Sequence, residues 1–471
     1  MTAGSCKISL PPYIKDICAK IQEAGFKSYV VGGALRDQLL GDARNPMDLE
    51  WDVATSARPG DVRKIFRKTV PTGIAHGTVM VVVDDRTCEV TTFRQEGDYS
   101  DARHPDRVTF LESIEEDLAR RDFTVNAMAF DPIMGHFVDP YGGEEDLKHR
   151  ILRAVGKPTA RFREDGLRPL RGARFVAVLG FRMEQETFEA MEKTVKSFLR
   201  VSAERKRDEI VKMTEAKRPS LGWEVLRKAN YIKAIFPEMS RMIGTAQGGL
   251  HRYDVWNHSI LACDFCAGAA WQVKLAALLH DCGKPGVGLK KEDGKAAEPE
   301  ENGRVTFYGH EEAGEAIVEQ WMERMRFSGD DTTRVTRLVR HHMINYSPEW
   351  TDAAVRRFIK RTGADLLDDL VRLAEADIKA RGTIGESLSL LNELKSRIHE
   401  QLERDVALAV KDLSIDGRDI MKKLDLDPGP RVGEILQSLL DSVIENPSLN
   451  RREKLLEMVR AMGDGTDSRN G

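Results

Sequence analysis

Three acidic residues near the start of the chain could hold divalent cations. Glu50 and Asp52 are two positions apart, so the strand repeat of two would place both carboxylates on one face. Residues 88–93 alternate in character and predict a neighbouring strand that carries Glu89. Converging carboxylates repel one another unless cations lie between them, and paired Mg²⁺ ions held in this way promote phosphoryl transfer. An isolated Glu-x-Asp pair is also typical of a solvent-exposed strand, so the context must decide.

The residues upstream of this pair favour a nucleotide site. The run 29–31 predicts a strand that enters a turn at Gly32 and Gly33, and a helix follows. Glycines allow close approach of the backbone, and a helix N-terminus presents free N–H groups to phosphate oxygens. Arg36 falls in the first turn of that helix and adds positive charge. Together with the acidic pair, this turn predicts a triphosphate site beside a Mg²⁺ site.

A second set of candidate ligands lies in the C-terminal half. Its members are imidazoles and carboxylates, which suit a transition metal such as Mn²⁺, Ni²⁺, Zn²⁺ or Fe. They are His258, His280, Asp281, His310, His342 and Asp377. A lone histidine on a helix is usually structural, so the prediction of a metal site depends on the whole set.

The elements that must position these residues change character along the chain. Residues 79–83 and 88–93 indicate two strands joined by a hairpin turn, whereas strand signals almost vanish after Pro132 and helical spacing takes over. The sequence therefore predicts an α+β fold, with an N-terminal α/β head containing a small mixed sheet and an all-helical remainder. The expected domains are the head (1–132), a helical neck (133–245), a body (246–385), a helical tail (386–462) and a disordered end (463–471).

Composition narrows the classes of protein. The formal net charge of −4 argues against a protein that coats nucleic acid, but residues 148–217 form a basic segment that could bind RNA locally. Acidic residues are interleaved there, so solvated helix faces are an equal alternative. No apolar run approaches the ~18–20 residues of a membrane span. The six scattered cysteines indicate reduced thiols in a cytoplasmic protein.

Five motifs occur in order along the first half of the chain. They are V-V-G-G-A-L-R-D, E-W-D-V-A-T, E-V-T-T-F-R, R-R-D-F-T-V-N-A-M-A and E-D-G-L-R. Together they resemble the class II tRNA nucleotidyltransferases, which comprise the CCA-adding enzymes of bacteria and eukaryotes and the related bacterial poly(A) polymerases. The resemblance extends from about residue 29 to 213 and resumes in the C-terminal half.

The resemblance implies a role for each motif. Glu50 and Asp52 would bind the catalytic Mg²⁺ ions, with Glu89 as the third carboxylate, although the commonest family form has Asp at the position of Glu50. The implied nucleotide-binding residues are the triphosphate turn (Gly32, Gly33, Arg36), the ribose and phosphate motif (Arg120, Arg121, Asp122, Asn126), the base-reading motif (Glu164, Asp165, Arg168), and Arg94 and Arg171.

The base-reading motif would replace a nucleic-acid template. Asp165 and Arg168 would hydrogen-bond the edge of the incoming base, and Glu164 would orient Arg168. This sequence departs from the family at Gly166 and Pro169, where Ala or Pro and an aliphatic residue are commoner. Because Pro is tolerated in a first helical turn, the helix is expected to begin near Glu164.

Two further segments extend the resemblance. Residues 93–106 are similar to the flexible loop that CCA-adding enzymes use to switch from C to A, which argues against a CC-only enzyme. The run from His280 to Lys284 resembles an HD phosphohydrolase domain, and His342 fits that pattern better than its neighbour His341. In some relatives this domain has 2′,3′-cyclic phosphodiesterase, 2′-nucleotidase or phosphatase activity. A degenerate HD fold that only supports RNA is the alternative.

The expected activity is template-independent addition of C, C and A, from CTP and ATP, to the 3′ end of tRNA. A-only addition to tRNA ending in CC, and poly(A) synthesis, stay open alternatives. A hydrolytic HD domain beside a remnant head would be an enzyme of another class, and a non-catalytic RNA-binding protein would require both metal sites to be inactive.

Overall fold

The computed structural model describes residues 8–41, 44–71, 77–96, 108–247, 252–287, 307–382, 385–404 and 407–464. The chain divides into two compact units, one formed by Met1–Ser240 with Glu323–Phe327 and the other by Arg241–Met322 with Ser328–Gly471. The predicted α+β class is confirmed, because the described strands all lie before residue 184 and the rest is helical. The finer domain boundaries stay predictions, and residues 465–471 of the expected disordered end lie outside the described residues.

A mixed sheet forms the centre of the first unit. The strands of the described chain are β1 (Ser28–Val31), β2 (Asp52–Thr55), β3 (Thr69–Val70), β4 (Thr78–Val83), β5 (Arg86–Thr92), β6 (Arg94–Glu96), β7 (Val108–Phe110), β8 (Ala129–Asp131), β9 (His136–Val138), β10 (Ile151–Leu152) and β11 (Arg182–Met183). In the described residues seven of them make one sheet in the order β3-β4-β5-β2-β1-β8-β9, and β2 runs parallel to β5. This parallel pair brings the two acidic strands together.

The predicted hairpin between β4 and β5 is confirmed. Its turn residues Asp84 and Asp85 have positive φ angles of 48° and 60°, as a tight hairpin turn requires. The strand expected to carry both acidic residues begins only at Asp52, so Glu50 precedes it. The reason is a short 3-10 turn at Pro46–Asp48, to whose first carbonyl the buried Trp51 indole donates a 2.8 Å hydrogen bond.

Helices and two small two-stranded sheets, β6-β7 and β10-β11, make up most of the rest of the described first unit. The helices are α1 (Pro12–Glu23), α2 (Gly32–Leu39), α3 (Pro59–Ile65), α4 (Ile114–Ala119), α5 (Gly143–Lys148), α6 (Pro158–Glu164), α7 (Arg168–Leu179), α8 (Gln185–Leu199), α9 (Ala203–Glu215), α10 (Pro219–Lys228) and α11 (Ile232–Ile235). Helix α7 packs against α9 and α10, and α6 packs against α8.

The expectation of a helix beginning near Glu164 is wrong, because Glu164 ends α6 and α7 begins at Arg168. The break has two local causes. The Asp165 side chain accepts a 3.0 Å hydrogen bond from the backbone N–H of Leu167 and turns the chain. Gly166 packs so closely on the end of α8 that an added Cβ would lie 2.4 Å from the carbonyl oxygen of Ser197. The unusual glycine is therefore required by packing.

The helices from residue 241 onwards are α12 (Val255–Phe265), α13 (Trp271–Leu279), α14 (Lys284–Val287), α15 (His310–Arg324), α16 (Gly329–His341), α17 (Asp352–Thr362), α18 (Leu367–Arg381), α19 (Gly385–Glu403), α20 (Gly417–Leu424), α21 (Pro430–Glu445) and α22 (Arg452–Asp464). Helix α13 is buried along almost its whole length and packs against α12, α16 and α18. A separate apolar core joins α20, α21 and α22. None of the helices in the described residues is long and apolar enough to cross a membrane.

Candidate active site and metal cluster

The carboxylates of Asp52 and Glu89 are neighbours across the parallel pair β2 and β5, where the two residues share a register position. Burial, Glu89 and Glu50 raise the pKa of Asp52 to about 6, against the opposing charge of Arg121. Crowding of acidic groups is electrostatically unfavourable in the absence of cations. This donor set of hard carboxylate oxygens therefore fits a divalent ion such as Mg²⁺.

The glycine turn lies directly against this acidic edge. Gly32 begins α2 with a φ of +83°, and an added Cβ would lie 2.6 Å from Oδ2 of Asp52. Glycine is required here both by its backbone conformation and by the contact. Gly33 follows in the first turn of α2, where the buried Arg36 donates a 2.8 Å hydrogen bond to Oδ1 of Asn126.

Asp117, which the sequence analysis missed, holds the arginine motif. Its Oδ1 accepts from Nε of Arg120 at 2.9 Å and from the backbone N–H of Arg94 at 3.2 Å, and its Oδ2 accepts from Arg121 at 3.4 Å. Although burial opposes it, the charges of Arg120 and Arg121 lower the pKa of this carboxyl. The buried carboxylate thus fixes two predicted nucleotide-binding arginines.

The buried Asp122 and the partly exposed Arg171 form an ion pair next to that motif. Two guanidinium nitrogens of Arg171 donate to Oδ2 of Asp122 at 2.8 and 2.9 Å, while Asn126 donates to Oδ1 at 3.2 Å. On its other side Arg171 donates to Glu209 at 3.3 Å, and Glu209 also accepts from Arg174 at 2.6 Å. Burial opposes ionisation of Asp122, but Arg171 outweighs it and lowers the pKa of Asp122 to about 2.

Phe175 carries three guanidinium groups on its ring. The Cζ atoms of Arg174, Arg36 and Arg171 lie 4.1, 5.4 and 5.7 Å from the ring centroid. The sequence analysis missed Phe175 and placed Arg174 only in the basic segment 148–217. Helical spacing could have indicated them, because residues three and four positions after Arg171 share its face of α7.

The base-reading motif spans the break between α6 and α7. Arg168 is buried and donates to Oε2 of Glu164 at 3.1 Å, to the carbonyl of Arg161 at 3.1 Å and to the carbonyl of Arg120 at 2.9 Å. Asp165 receives a 2.8 Å hydrogen bond from Arg205. The three predicted residues are therefore adjacent, and the pairing expected between Glu164 and Arg168 is present.

Residues 97–106 of the flexible loop predicted at 93–106 lie outside the described residues.

The cysteines of the described chain are all free thiols and all buried. Burial raises the pKa of Cys18 to about 12, so this thiol stays protonated.

In the second unit the six predicted ligands converge in one buried cluster. His258 and Asp377 come from α12 and α18, His280 and Asp281 follow the end of α13, His310 begins α15, and His342 follows α16. They form two sets of three whose ligand atoms lie within 4.8 Å of one another, namely His258, His280 and Asp377, and Asp281, His310 and His342. His341 is half-buried and belongs to neither set.

Backbone carbonyls orient three of these imidazoles. The Nδ1 atoms of His280, His310 and His342 lie 2.8, 2.7 and 2.7 Å from the carbonyl oxygens of Ala277, Phe307 and Val339. A carbonyl can only accept, so each Nδ1 carries the proton and each Nε2 points into the cluster. This is the usual arrangement of metal-binding histidines, and the donor set fits a transition metal.

The negative charges of Asp281 and Asp377 are offset by positive charges within and around the cluster. Burial alone would lower the pKa of His280, but Asp281 and Asp377 outweigh it and raise that pKa to about 10. Burial and the neighbouring His280 lower the pKa of His342 to about 3. Outside the six, Lys284 donates to Asp281 at 2.6 Å and Arg381 pairs with Asp377. The carboxylates thus hold a positive charge that a metal ion could replace.

Family comparison agrees with the motifs along most of the chain. Residues 28–153 match the family described as Poly A polymerase head domain. Residues 180–243 match the RNA- and SrmB-binding site of polymerase A, and residues 306–459 match domain 2 of tRNA nucleotidyltransferases.

Individual relatives cover nearly the whole chain. The CCA-adding enzyme of Streptococcus uberis is 32% identical over 445 residues, which are 92% of this chain and 93% of that protein. That of Enterococcus faecalis is 31% identical over 450 residues, 95% of this chain and 94% of that protein. Among solved structures, the Bacillus stearothermophilus CCA-adding enzyme in complex with CTP is 25% identical, has a TM-score of 0.73, and covers 98% of this chain and 100% of that chain. Since identity at this level extends over both full lengths, the chain belongs to the family of CCA-adding enzymes.

Proposed function

We propose that this protein adds C, C and A, from CTP and ATP, to the 3′ end of tRNA without a nucleic-acid template. The observation that carries the proposal is the contact between the Gly32 turn and the carboxylate of Asp52, because it joins a triphosphate cradle to a metal-binding edge. Relatives that match over the full length are CCA-adding enzymes, and one of them was solved with CTP.

The acidic edge would hold the metal that nucleotidyl transfer in this family requires. Asp52 and Glu50 would bind Mg²⁺, and Glu89 would lie beside them at the register position of Asp52. Bound Mg²⁺ supplies Lewis-acid activation of the attacking 3′-hydroxyl and neutralises charge on the leaving pyrophosphate. Glu50 lies outside the strand and is exposed, so its longer side chain can reach the same edge from the loop.

The triphosphate and ribose would be bound by the groups beside that edge. The N-terminal N–H groups of α2 and the guanidinium of Arg36 would contact phosphate oxygens. Asn126, Asp122 and the arginines held by Asp117 would contact the ribose and the remaining phosphates. A polar site of this kind selects NTPs over dNTPs through the 2′-hydroxyl.

Base choice would rest on Asp165 and Arg168. Three of the five N–H donors of Arg168 are occupied by Glu164 and two backbone carbonyls, and the structure gives its other two no acceptor among the described residues. Two guanidinium donors suit O2 and N3 of cytosine, while the Asp165 carboxylate suits N4. A small shift of these two side chains would accommodate adenine. Guanine and uracil reverse part of this donor and acceptor order, so the site would reject them.

The decisive experiment offers purified protein and Mg²⁺ two tRNA primers, one lacking CCA and one ending in CC. We expect the first primer to grow by C, C and A and then stop. Extension of only the CC-ended primer would indicate A-only addition, and long homopolymers would indicate poly(A) synthesis. Failure to extend either primer would refute the proposal.

Variants sharpen this test. Asp52→Asn should abolish addition because it removes a ligand charge from the acidic edge. Asp85→Asn is the matched control, since Asp85 lies exposed in the hairpin turn where Asn is tolerated, and its activity should stay normal.

A second candidate function is hydrolysis of a phosphate ester by the histidine and aspartate cluster, and the specific observation in its favour is that all six predicted ligands converge. This proposal includes the HD assignment and a transition metal. His280→Ala should abolish hydrolysis of a phosphate ester and spare nucleotide addition, whereas Glu50→Ala should do the reverse. The cytoplasmic location stays a prediction that rests on the reduced cysteines.

A further inference from the structure

We propose that Arg161 is a positioning residue for base choice, because it occupies one oxygen of Glu164 and so keeps two N–H donors of Arg168 available to the incoming base. The inference rests on the proposed function, since it concerns the side chains that would read cytosine and adenine. Arg161 lies outside the five motifs of the first half of the chain. It would act through Glu164 and Arg168, without a contact to the base of its own.

The carboxylate of Glu164 is divided between two arginines. Its Oε1 lies 2.6 Å from Nη2 of Arg161, and its Oε2 accepts a 3.1 Å hydrogen bond from Nη1 of Arg168. Arg161 precedes Glu164 by three positions on α6, a spacing at which helical side chains meet. Arg168 reaches Glu164 from the other side of the break between α6 and α7. Each arginine therefore holds one of the two oxygens.

This division limits how Arg168 can pair with Glu164. Arginine and carboxylate groups frequently form two parallel hydrogen bonds, one to each oxygen. With Arg161 removed, Oε1 could accept the second N–H of Nη2 of Arg168, whose first N–H is bound to the carbonyl of Arg120. Arg168 would then keep one donor for the base, whereas O2 and N3 of cytosine require two. Loss of Arg161 would thus weaken base reading without removing any base-reading residue.

The end of α4 anchors both arginines. Nη1 of Arg161 donates to the carbonyl of Ala119 at 3.2 Å, and Nη2 of Arg168 donates to the next carbonyl, that of Arg120, at 2.9 Å. The last carbonyls of a helix have no partner within the helix and accept from side chains in this way. The carbonyl of Arg161 itself accepts from Nη1 of Arg168 at 3.1 Å. Arg161 is therefore fixed by its side chain and by its backbone while it holds Glu164.

Burial makes the number of protein acceptors decisive for Arg168. Its side chain is 8% exposed, against 39% for Glu164. Buried donors bond to the acceptors that the protein supplies, because little water reaches them. An extra acceptor at Oε1 of Glu164 would therefore compete directly with the base for the donors of Arg168.

The test measures kcat/KM for single-nucleotide addition to a tRNA primer with each of the four NTPs. Arg161→Met removes the guanidinium and keeps a long side chain. We expect kcat/KM for CTP and ATP to fall, and discrimination against GTP and UTP to fall ~10-fold, as for the loss of one base contact. Arg161→Lys retains a cation for Oε1 and should keep most of the discrimination. Arg163→Met is the matched control on α6, since Arg163 is exposed and forms no ion pair in the described part of the chain, and its discrimination should be normal.

A double variant distinguishes this role from a merely structural one. Glutamine at position 164 has a single acceptor oxygen, so Arg168 cannot pair with it through two hydrogen bonds. Arg161→Met combined with Glu164→Gln should therefore discriminate better than Arg161→Met alone. A structural role predicts the reverse, because a second substitution in the same cluster would add to the damage or leave it unchanged.

Normal discrimination in Arg161→Met would overturn the inference, and addition of C, C and A by the unsubstituted protein would leave the proposed function standing. Equal loss of discrimination in the single and double variants would also overturn it. If the unsubstituted protein adds no nucleotide, the proposed function fails and the inference fails with it. Should Arg161→Met not fold, Arg161→Ala with and without Glu164→Gln gives the same comparison.

Discussion

The carboxylate of Asp122 accepts two hydrogen bonds from Arg171, at 2.8 and 2.9 Å, and this pair links the ribose and phosphate motif to helix α7. Asn126 extends the link to Arg36 on α2, and Glu209 extends it to α9. A continuous hydrogen-bonded chain therefore runs from the triphosphate turn to the helical neck. Displacement of any member would shift groups at both ends.

The first prediction concerns stability at low pH. The pKa of Asp122 is lowered to about 2 in the folded protein, against an ordinary value of 3.8, so its stabilising contribution is complete above about pH 4. The contribution, about 2 kcal/mol, should disappear as the pH falls through 2. Urea denaturation between pH 5 and pH 2 should therefore show a shallower pH dependence for Asp122→Asn. Parallel curves for the two proteins would contradict the assignment.

The second prediction concerns the ring beneath the arginines. Phe175→Leu keeps a buried apolar side chain but removes the aromatic face from Arg36, Arg171 and Arg174. We expect KM for CTP and ATP to rise ~5-fold, the equivalent of about 1 kcal/mol. Phe181→Leu is the control, since Phe181 is also buried and stacks on no guanidinium in the described part of the chain. If both variants raise KM equally, the increase results from lost packing alone, and the guanidinium contacts of Phe175 contribute nothing to it.

The third prediction concerns base choice. Arg168→Ala should lower kcat/KM for CTP and ATP and reduce discrimination against GTP and UTP by ~10- to 100-fold, because a bidentate contact contributes about 1–3 kcal/mol of discrimination. Single-nucleotide addition with each NTP measures this. Glu164→Gln retains an oxygen acceptor for Arg168 and should discriminate nearly normally. Unchanged discrimination in Arg168→Ala would show that the base is selected elsewhere.

The fourth prediction concerns the tail. The buried Arg356 of α17 donates to the last carbonyls of α21, at Ile444 (2.7 Å) and Glu445 (3.1 Å). Arg356→Ala should lower the free energy of unfolding by about 3 kcal/mol, because it removes the contact between α17 and α21. It should also accelerate hydrogen exchange in α21. The adjacent Arg357 pairs with Glu445 on an exposed surface, so Arg357→Ala should change stability by less than about 0.5 kcal/mol.

Sequence patterns predicted those parts of the site that depend on local repeats. The two glycines indicated the turn at Gly32, and the hairpin turn was found because two aspartates between strand-like runs are typical of a turn. Alternation predicted the strand that carries Glu89. These features follow from the backbone preferences of short segments, which can be inferred from the residue types alone.

Features that depend on tertiary packing were missed. The position of Glu50 before its strand follows from a buried indole, and the break before Arg168 follows from the contact of Gly166 with α8. Phe175 resembles any core aromatic until three arginines from two helices are placed around it. The six ligands of the cluster were predicted as one set, but their division into two sets of three depends on how five helices converge.

Position 32 has a consequence for how this enzyme tolerates mutation. Gly32 contributes to the site only the space that its missing side chain leaves. The residue carries no chemically reactive group. Any replacement would nevertheless place a Cβ atom 2.6 Å from Oδ2 of Asp52 and displace that carboxylate. It would also strain the backbone, whose φ angle at this position is +83°. In a selection for activity, variants at 32 would be lost as completely as those at the acidic residues. Evolutionary constraint at position 32 would thus result from the geometry of the site, because the residue there has no functional group.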